Sequence, residues 1–364
     1  MRWLLPLFLV TSVVASDSEP CQPIDGIGTV IEAGTVLMLG EIHGTEESPA
    51  FALQAACHAS RSGLPVIVGL ELRSTEQARV DAFMASGGTE DDRKALLAGP
   101  VWQANYQDGR ASHAMVALID GLRAMRHEGS EVRLALFDAS GSRGGQQRER
   151  DMARNVAALI ADSPRAMTIV LTGNMHSRVS RGTARDAEYE PMGYLLAHDE
   201  SVGRVISLNV AYSGGSAWVC NPDCGVSRLQ GKSDQGAWRI EMDEATRPPG
   251  HLGWYTVGAI TASVPARISP SEVPLPEPPE AAATSEQPAS TAPKAGPAGE
   301  LTEAEVKIQG DWQAYDFSSQ TKTWRMSFDG RRFRAQAGED DWYEGRVVLR
   351  EGEKPPQIDF AIED

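Results

Sequence analysis

Short apolar segments alternate with helical patterns between residues 35 and 210. Five near-continuous apolar runs predict buried strands at Thr35–Gly40, Pro65–Glu71, Val132–Phe137, Met167–Thr172 and Arg204–Val210. Between the runs, apolar positions recur at helical spacing, which predicts helices that include Ser112–Arg126 and Arg148–Ala161. This alternation is typical of an α/β fold with a mostly parallel sheet and helices on both faces.

Two helix starts are indicated by residues that often cap helices. Ser48 followed by Pro49 predicts an N-cap and a first helical residue. Ser74, with Gln77 three residues later, has the Ser-x-x-Gln form of the capping box and predicts a second start.

The composition changes twice in the second half of the chain. Residues 214–258 are rich in Gly and Trp and predict short strands and loops. Residues 264–300 consist mainly of Pro, Ala, Ser, Thr and Glu, which cannot bury a core and predict an extended linker. Residues 301–364 predict a small antiparallel β module with a hairpin turn at Asp329-Gly330. We therefore expect an α/β domain over residues 16–263, before this linker and module.

The first 15 residues have the pattern of a signal peptide. Arg2 supplies a positive charge, residues 3–14 are mostly apolar, and Val13-Val14-Ala15 is a small-residue cleavage site. The apolar run is short for a membrane span, and a buried N-terminal strand is the alternative. We expect a periplasmic or secreted protein with no membrane span in the mature chain.

Export favours disulfides for the four cysteines, which are Cys21, Cys57, Cys220 and Cys224. The last two flank a short turn, which leaves the first two to pair with each other. Four cysteines allow three pairings, so the other pairings stay open. A zinc site is the competing interpretation, although only His58 adjoins a cysteine.

The charge balance argues against one class of partner. The chain has 34 Lys and Arg against 50 Asp and Glu, a net charge of -16. Nucleic-acid binding requires clustered positive charge, so a nucleic-acid partner is not expected. A small-molecule or peptide substrate is the expected partner.

Polar side chains follow four of the predicted strands. They are Glu41 and His43, Glu71 and Arg73, Asp138, and Asn174 and His176. In an open parallel sheet, ligands bind outside the carboxyl ends of the strands, so these residues are expected to meet at one edge. Each has a structural explanation on its own, as a turn histidine or a capping carboxylate. Together, two histidines near three carboxylates favour general acid–base chemistry.

Three segments carry a resemblance to a known superfamily. Leu39-Gly-Glu-Ile-His-Gly-Thr45 resembles the Gly-Glu-x-His signature of the superfamily that contains the erythromycin esterases, the ChaN-like haem-binding proteins and the Tiki/TraB proteins. Arg148–Asn155 resembles the Arg-Asp-x-x-Met-Ala-x-Asn helix of the esterases, with Glu149 in place of the Asp. Gly173–His176 resembles their Gly-x-x-His segment. The esterases differ in having a longer Glu–His spacing.

The resemblance implies a hydrolase-like site in which a histidine activates water and carboxylates orient it. His43 is then the base, Glu41 and Glu71 position the base or the substrate, and His176 is a second acid–base group or a ligand. The candidates for substrate binding are Arg73, Asp138 and Arg148. A surface position on a helix is the simpler interpretation of Arg148.

We expect an exported hydrolase that acts on an ester or an amide. The alternative is a protein that binds haem or a divalent metal without turnover, because the ChaN-like relatives bind haem and the Tiki proteins use metal in peptide cleavage. The sequence has no Cys-x-x-Cys-His motif for covalent haem attachment. A third interpretation is a site that has lost its activity and keeps only a structural role.

The C-terminal segment carries a second resemblance, to a lipocalin-like module common in planctomycete proteins. The matching segments are Ile308–Trp312, Phe328–Gly330, Tyr343–Gly345 and Pro355–Phe360. Such modules normally have more strands, so we expect this one to be an incomplete barrel that serves binding or attachment.

Overall fold

A computed structural model describes residues 21–139, 145–183, 186–220, 223–231, 236–272, 302–315, 323–336, 342–350 and 357–362. The predicted signal peptide and most of the predicted linker lie outside these residues. The chain divides into two compact units, Met1–Pro276 and Glu277–Asp364, which are described separately.

The first unit alternates strands and helices. Its strands are β1 (Val36–Glu41), β2 (Val66–Arg73), β3 (Val132–Asp138), β4 (Met167–Gly173), β5 (Val205–Ala211), β6 (Gly214–Cys220), β7 (Cys224–Gln230), β8 (Arg239–Glu241), β9 (Gly253–Thr256) and β10 (Ala259–Ile260). Its α-helices are α1 (Glu47–Arg61), α2 (Gln77–Met84), α3 (Glu90–Leu97), α4 (Pro100–Gln103), α5 (His113–His127), α6 (Gln146–Asp162) and α7 (Met192–Ala197).

Seven strands form one sheet in the order β3-β2-β4-β1-β5-β9-β8. Every neighbouring pair is parallel except β8 with β9. Side chains of β1 alternate between two cores: Leu37 and Leu39 pack with residues of α1 and α5, whereas Val36 and Met38 pack with residues of α6 and α7. The predicted fold class, a mostly parallel sheet covered by helices on both faces, is confirmed.

Both predicted capping positions are wrong, because tertiary hydrogen bonds use the side chains in question. The N-cap of α1 is Glu46, and the Ser48 hydroxyl inside the first turn accepts a hydrogen bond from Tyr255. Ser74 begins a 3-10 turn that precedes α2. The amide of Gln77 bonds to the main chain of β3 instead of closing a capping box.

Both predicted disulfides are present. Cys220–Cys224 joins the ends of the antiparallel β6–β7 hairpin, and Cys21–Cys57 ties the segment before β1 to α1. All four cysteines are therefore bonded, and the zinc interpretation is wrong. No helix in the described ranges is long and apolar enough to cross a membrane.

The second unit is a small antiparallel module. It contains α8 (Glu303–Lys307) and the strands β11 (Gly310–Tyr315), β12 (Thr323–Asp329), β13 (Arg332–Gln336), β14 (Trp342–Arg350) and β15 (Gln357–Ile362). The five strands pair in chain order, and the predicted hairpin is present, with Asp329 opposite Arg332. Its antiparallel character is confirmed, while its likeness to a lipocalin and the exact domain limits stay predictions.

Candidate active site

The carboxyl ends of β1, β2, β3 and β4 bring the predicted side chains together at one edge of the sheet. Glu41 and Asp138 end their strands, and Glu71 lies two residues before the end of β2. His43 follows β1, and His176 lies in the turn after β4. The three carboxylates are only 4%, 8% and 3% exposed, respectively. Burial of ionised groups to this extent is costly unless each is paired.

The imidazole of His43 lies between two of these carboxylates. Its Nδ1 is 2.9 Å from Glu41 Oε1, and its Nε2 is 3.8 Å from Glu71 Oε2. A carboxylate can only accept, so the Glu41 contact places a proton on Nδ1 and leaves Nε2 as the nitrogen that gains or loses one. The side chain of His43 is 22% exposed, which keeps the ring accessible.

The surroundings of His43 favour its charged form. Burial by itself lowers the pKa of an imidazole. The hydrogen bond with Glu41 and the negative charge of Glu71 outweigh burial, so the pKa of His43 lies above its ordinary value of 6.5. A histidine in this state can exchange a proton under physiological conditions.

Glu71 is the centre of the cluster. Its Oε2 accepts hydrogen bonds from the Thr172 hydroxyl at 2.7 Å and the Gly173 N–H at 2.8 Å. Its Oε1 accepts from Arg148 at 2.7 Å and Arg110 at 3.0 Å. Burial raises the pKa of this carboxyl, but the four basic side chains around it, His176, His43, Arg110 and Arg148, outweigh burial and hold the pKa well below its ordinary value. Glu71 is thus a fixed negative charge.

Arg110 and Asp108 come from the loop before α5, and neither was predicted from the sequence. Arg110 donates to Asp108 at 2.6 Å, to Glu71, and to Asp138 at 3.4 Å. Burial lowers the pKa of Arg110, but the charges of Glu71 and Asp108 outweigh it and raise the pKa. The loop has no apolar periodicity and follows no strand of the parallel sheet, so the strand-end rule could not find this pair.

The second histidine, His176, also forms a hydrogen bond with a carboxylate through Nδ1. His176 Nδ1 lies 2.6 Å from Glu149 Oε1, and His176 Nε2 lies 2.9 Å from Arg148 Nη1. Glu149 is buried and also accepts from the Tyr189 hydroxyl at 2.6 Å and from the first N–H of α7 at 2.8 Å. The site therefore contains two carboxylate–imidazole pairs, and both Nε2 atoms lie within 4 Å of Glu71.

Of the three predicted substrate-binding residues, two lie in the cluster. Arg148 donates from Nε to Asp138 at 2.9 Å as well as to Glu71, so its interpretation as a plain surface residue is wrong. Arg73 is exposed at the end of β2. It makes no hydrogen bond or ion pair with the described residues of the cluster, and its role in substrate binding stays a prediction.

Several of the atoms in the cluster that could hold a metal ion or a haem iron already have hydrogen-bond partners. His176 Nε2 and Glu71 Oε1 already accept N–H bonds from arginine, and two guanidinium cations occupy the centre. Across the described residues, no three His, Cys, Asp or Glu side chains are arranged to hold a metal. Within the described part of the chain, no arginine donates to His43 Nε2, which lies near the carboxylate of Glu71.

Replacing Gly173 with alanine is expected to displace His43 and lower the turnover of any His43-dependent reaction by about tenfold or more. A Cβ there would lie 3.1 Å from His43 Nε2 and 3.5 Å from His176 Cδ2. Gly69→Ala in β2 is the matched control, because its nearest neighbour is the Phe137 ring at 3.3 Å. Comparing kcat and Tm of both variants checks this, and equal kcat values would contradict it.

No protein-family model matches the chain, and no curated protein sequence matches it. Several solved structures are similar in fold. An erythromycin esterase variant in its open conformation is 12% identical, with a TM-score of 0.43 over 57% of this chain and 79% of that chain. A Bacillus cereus protein is 11% identical, with a TM-score of 0.42 over 68% and 95%. ChaN of Campylobacter jejuni, with cofacially bound haem, is 14% identical, with a TM-score of 0.35 over 51% and 84%. These are distant likenesses of fold.

Proposed function

We propose that this protein is a hydrolase in which His43 activates a water molecule for attack on an ester or an amide. The observation that carries the proposal is the placement of one accessible imidazole between two buried carboxylates. Glu41 fixes the ring through Nδ1, and Nε2 faces the interior of the cluster. This arrangement supplies a general base of fixed orientation.

Residues of the cluster supply the proton transfers and the positive charge that this reaction needs. His43 Nε2 takes a proton from water as the water oxygen bonds to the carbonyl carbon of the substrate. The carbonyl oxygen becomes negative, and the cationic Arg148 supplies charge to stabilise it. The carbonyl then re-forms, the bond to the alcohol or amine breaks, and the imidazolium of His43 protonates that leaving group. Glu41 stabilises the imidazolium between the two steps.

A purely structural role explains the cluster less well. Apolar residues of similar volume often stabilise a core as well as, or better than, buried ion pairs. Here four strand ends, a loop and a helix supply charged groups to one place, and His43 stays partly exposed among them. Titratable groups that converge around an accessible histidine are typical of functional sites.

The proposal includes export and a small-molecule or peptide substrate. Two disulfides are compatible with an oxidising compartment outside the cytoplasm. Binding of haem or a metal without turnover is the alternative. The arginines bonded to Glu71 and His176 disfavour it, because they engage His176 Nε2 and Glu71 Oε1, two of the atoms that could coordinate.

Hydrolysis is expected to rise with pH as His43 loses its proton. The base form of His43 is needed, and its pKa lies above 6.5, so kcat/KM for p-nitrophenyl acetate is low below pH 6.5 and increases through the raised pKa. Glu41→Gln removes a charge that raises this pKa, so the rise in kcat/KM moves to lower pH. A pH profile that is flat, or that Glu41→Gln leaves unmoved, contradicts the role of His43.

A further inference from the structure

We infer that His176 is a positioning residue for Arg148 and that it does not exchange protons with the substrate. This inference rests on the proposed function and assigns different roles to the two histidines. His43 carries the proton, whereas His176 holds the arginine that meets the negative charge developing on the substrate.

The hydrogen-bond partners of His176 determine where its proton lies. A guanidinium has donors and no acceptor, so at 2.9 Å from Arg148 Nη1 the Nε2 of His176 must accept. Glu149 is a carboxylate and accepts at Nδ1, 2.6 Å away, so Nδ1 carries the proton. His176 is therefore neutral, and both ring nitrogens are engaged. It cannot take a proton without breaking its contact with Arg148.

Three partners from three parts of the fold fix the guanidinium of Arg148. Nε donates to Asp138 at the end of β3, Nη2 to Glu71 in β2, and Nη1 to His176 after β4. Each nitrogen thus has its own acceptor, which sets both the position and the plane of the group. A cation oriented before the reaction needs no reorganisation when charge develops, and this is the main source of electrostatic catalysis.

Glu149 fixes the position of His176. The Oε1 atom of Glu149 accepts from both His176 and the Tyr189 hydroxyl, and its Oε2 accepts from the first N–H of α7. Glu149 is 1% exposed, so it has little freedom to turn. His43 differs, because among the described residues its Nε2 accepts no hydrogen bond from an arginine, although both Nε2 atoms lie at a similar distance from Glu71.

Comparing His176→Gln with His176→Ala tests the inference. Glutamine can present an acceptor oxygen near the position of Nε2 but cannot carry a proton at neutral pH. We expect His176→Ala to lower kcat for p-nitrophenyl acetate by about 100-fold and His176→Gln to stay within about tenfold of wild type. Both should keep the wild-type pH profile, and Tm reports whether each variant folds. The inference is overturned if His176→Gln is as inactive as His176→Ala. It is also overturned if kcat/KM no longer rises with pH in His176→Gln.

A double-mutant cycle with Arg148→Lys gives a second readout. Lysine cannot reproduce the three-way contacts of the guanidinium. If His176 acts through Arg148, His176→Ala should lower kcat much less in the Arg148→Lys background than in wild type. Independent, multiplicative losses in kcat would overturn the inference.

Nitrogen NMR of the wild-type imidazoles separates this inference from the proposed function. At pH 7.5, His176 should show a protonated Nδ1 and a bare Nε2. That result is expected even if the protein hydrolyses no ester, in which case the proposed function fails while the arrangement of His176 and Arg148 stands. A proton on Nε2 overturns the inference, whatever the activity.

Discussion

Replacing Glu71 with leucine is expected to lower the free energy of unfolding by about 3–5 kcal/mol. The change removes the carboxylate that Arg110 and Arg148 share in the buried centre of the cluster. It also leaves the Gly173 N–H and the Thr172 hydroxyl without their acceptor. Urea unfolding at pH 7 measures the loss.

The control for this variant is the same substitution at an exposed ion pair. Glu32 is 67% exposed and pairs with Arg204, so Glu32→Leu should change the free energy of unfolding by no more than about 0.5 kcal/mol. Similar losses for both variants would mean that Glu71 does not hold the cluster together.

The contribution of Glu71 to stability should also depend on pH. The pKa of Glu71 in the folded protein lies well below its ordinary value of 4.5. A depressed pKa contributes stability that is fully present above pH 4.5 and is lost as the pH falls through the folded-state pKa. The difference between wild type and Glu71→Leu should therefore narrow below pH 4.5, and a difference that stays constant there contradicts the assignment.

Replacing His43 with glutamine is expected to lower the rate of ester hydrolysis by about 100- to 10,000-fold. Glutamine is similar in size and polar, but it cannot take a proton from water. The matched control is His127→Gln at the exposed end of α5, which should leave both kcat and Tm unchanged. Activity within about threefold of wild type in His43→Gln would exclude His43 as the base.

The fold could be predicted from the sequence because its signals are local. Buried parallel strands require continuous apolar runs, and five such runs mark β1 to β5. The capping positions were wrong because Ser48 and Gln77 bond to residues distant in the chain. Such bonds leave no mark on the neighbouring sequence.

The site was predicted in part for a related reason. The carboxyl ends of parallel strands meet at one edge, so Glu41, Glu71 and Asp138 could be placed together without a structure. Arg110 comes from a loop, and the contacts of Arg148 depend on how α6 rotates against the sheet. Neither property follows from residue spacing.

Titration of haem into the purified protein, with ester hydrolysis recorded on the same samples, distinguishes a water-activating site from a haem site. If the cluster is a water-activating site, the protein hydrolyses the ester without added haem, His43→Gln abolishes this hydrolysis, and no Soret band depends on His43 or His176. A Soret band that His43→Gln or His176→Gln removes, in a protein that hydrolyses no ester, would mean that the cluster binds haem and does not activate water.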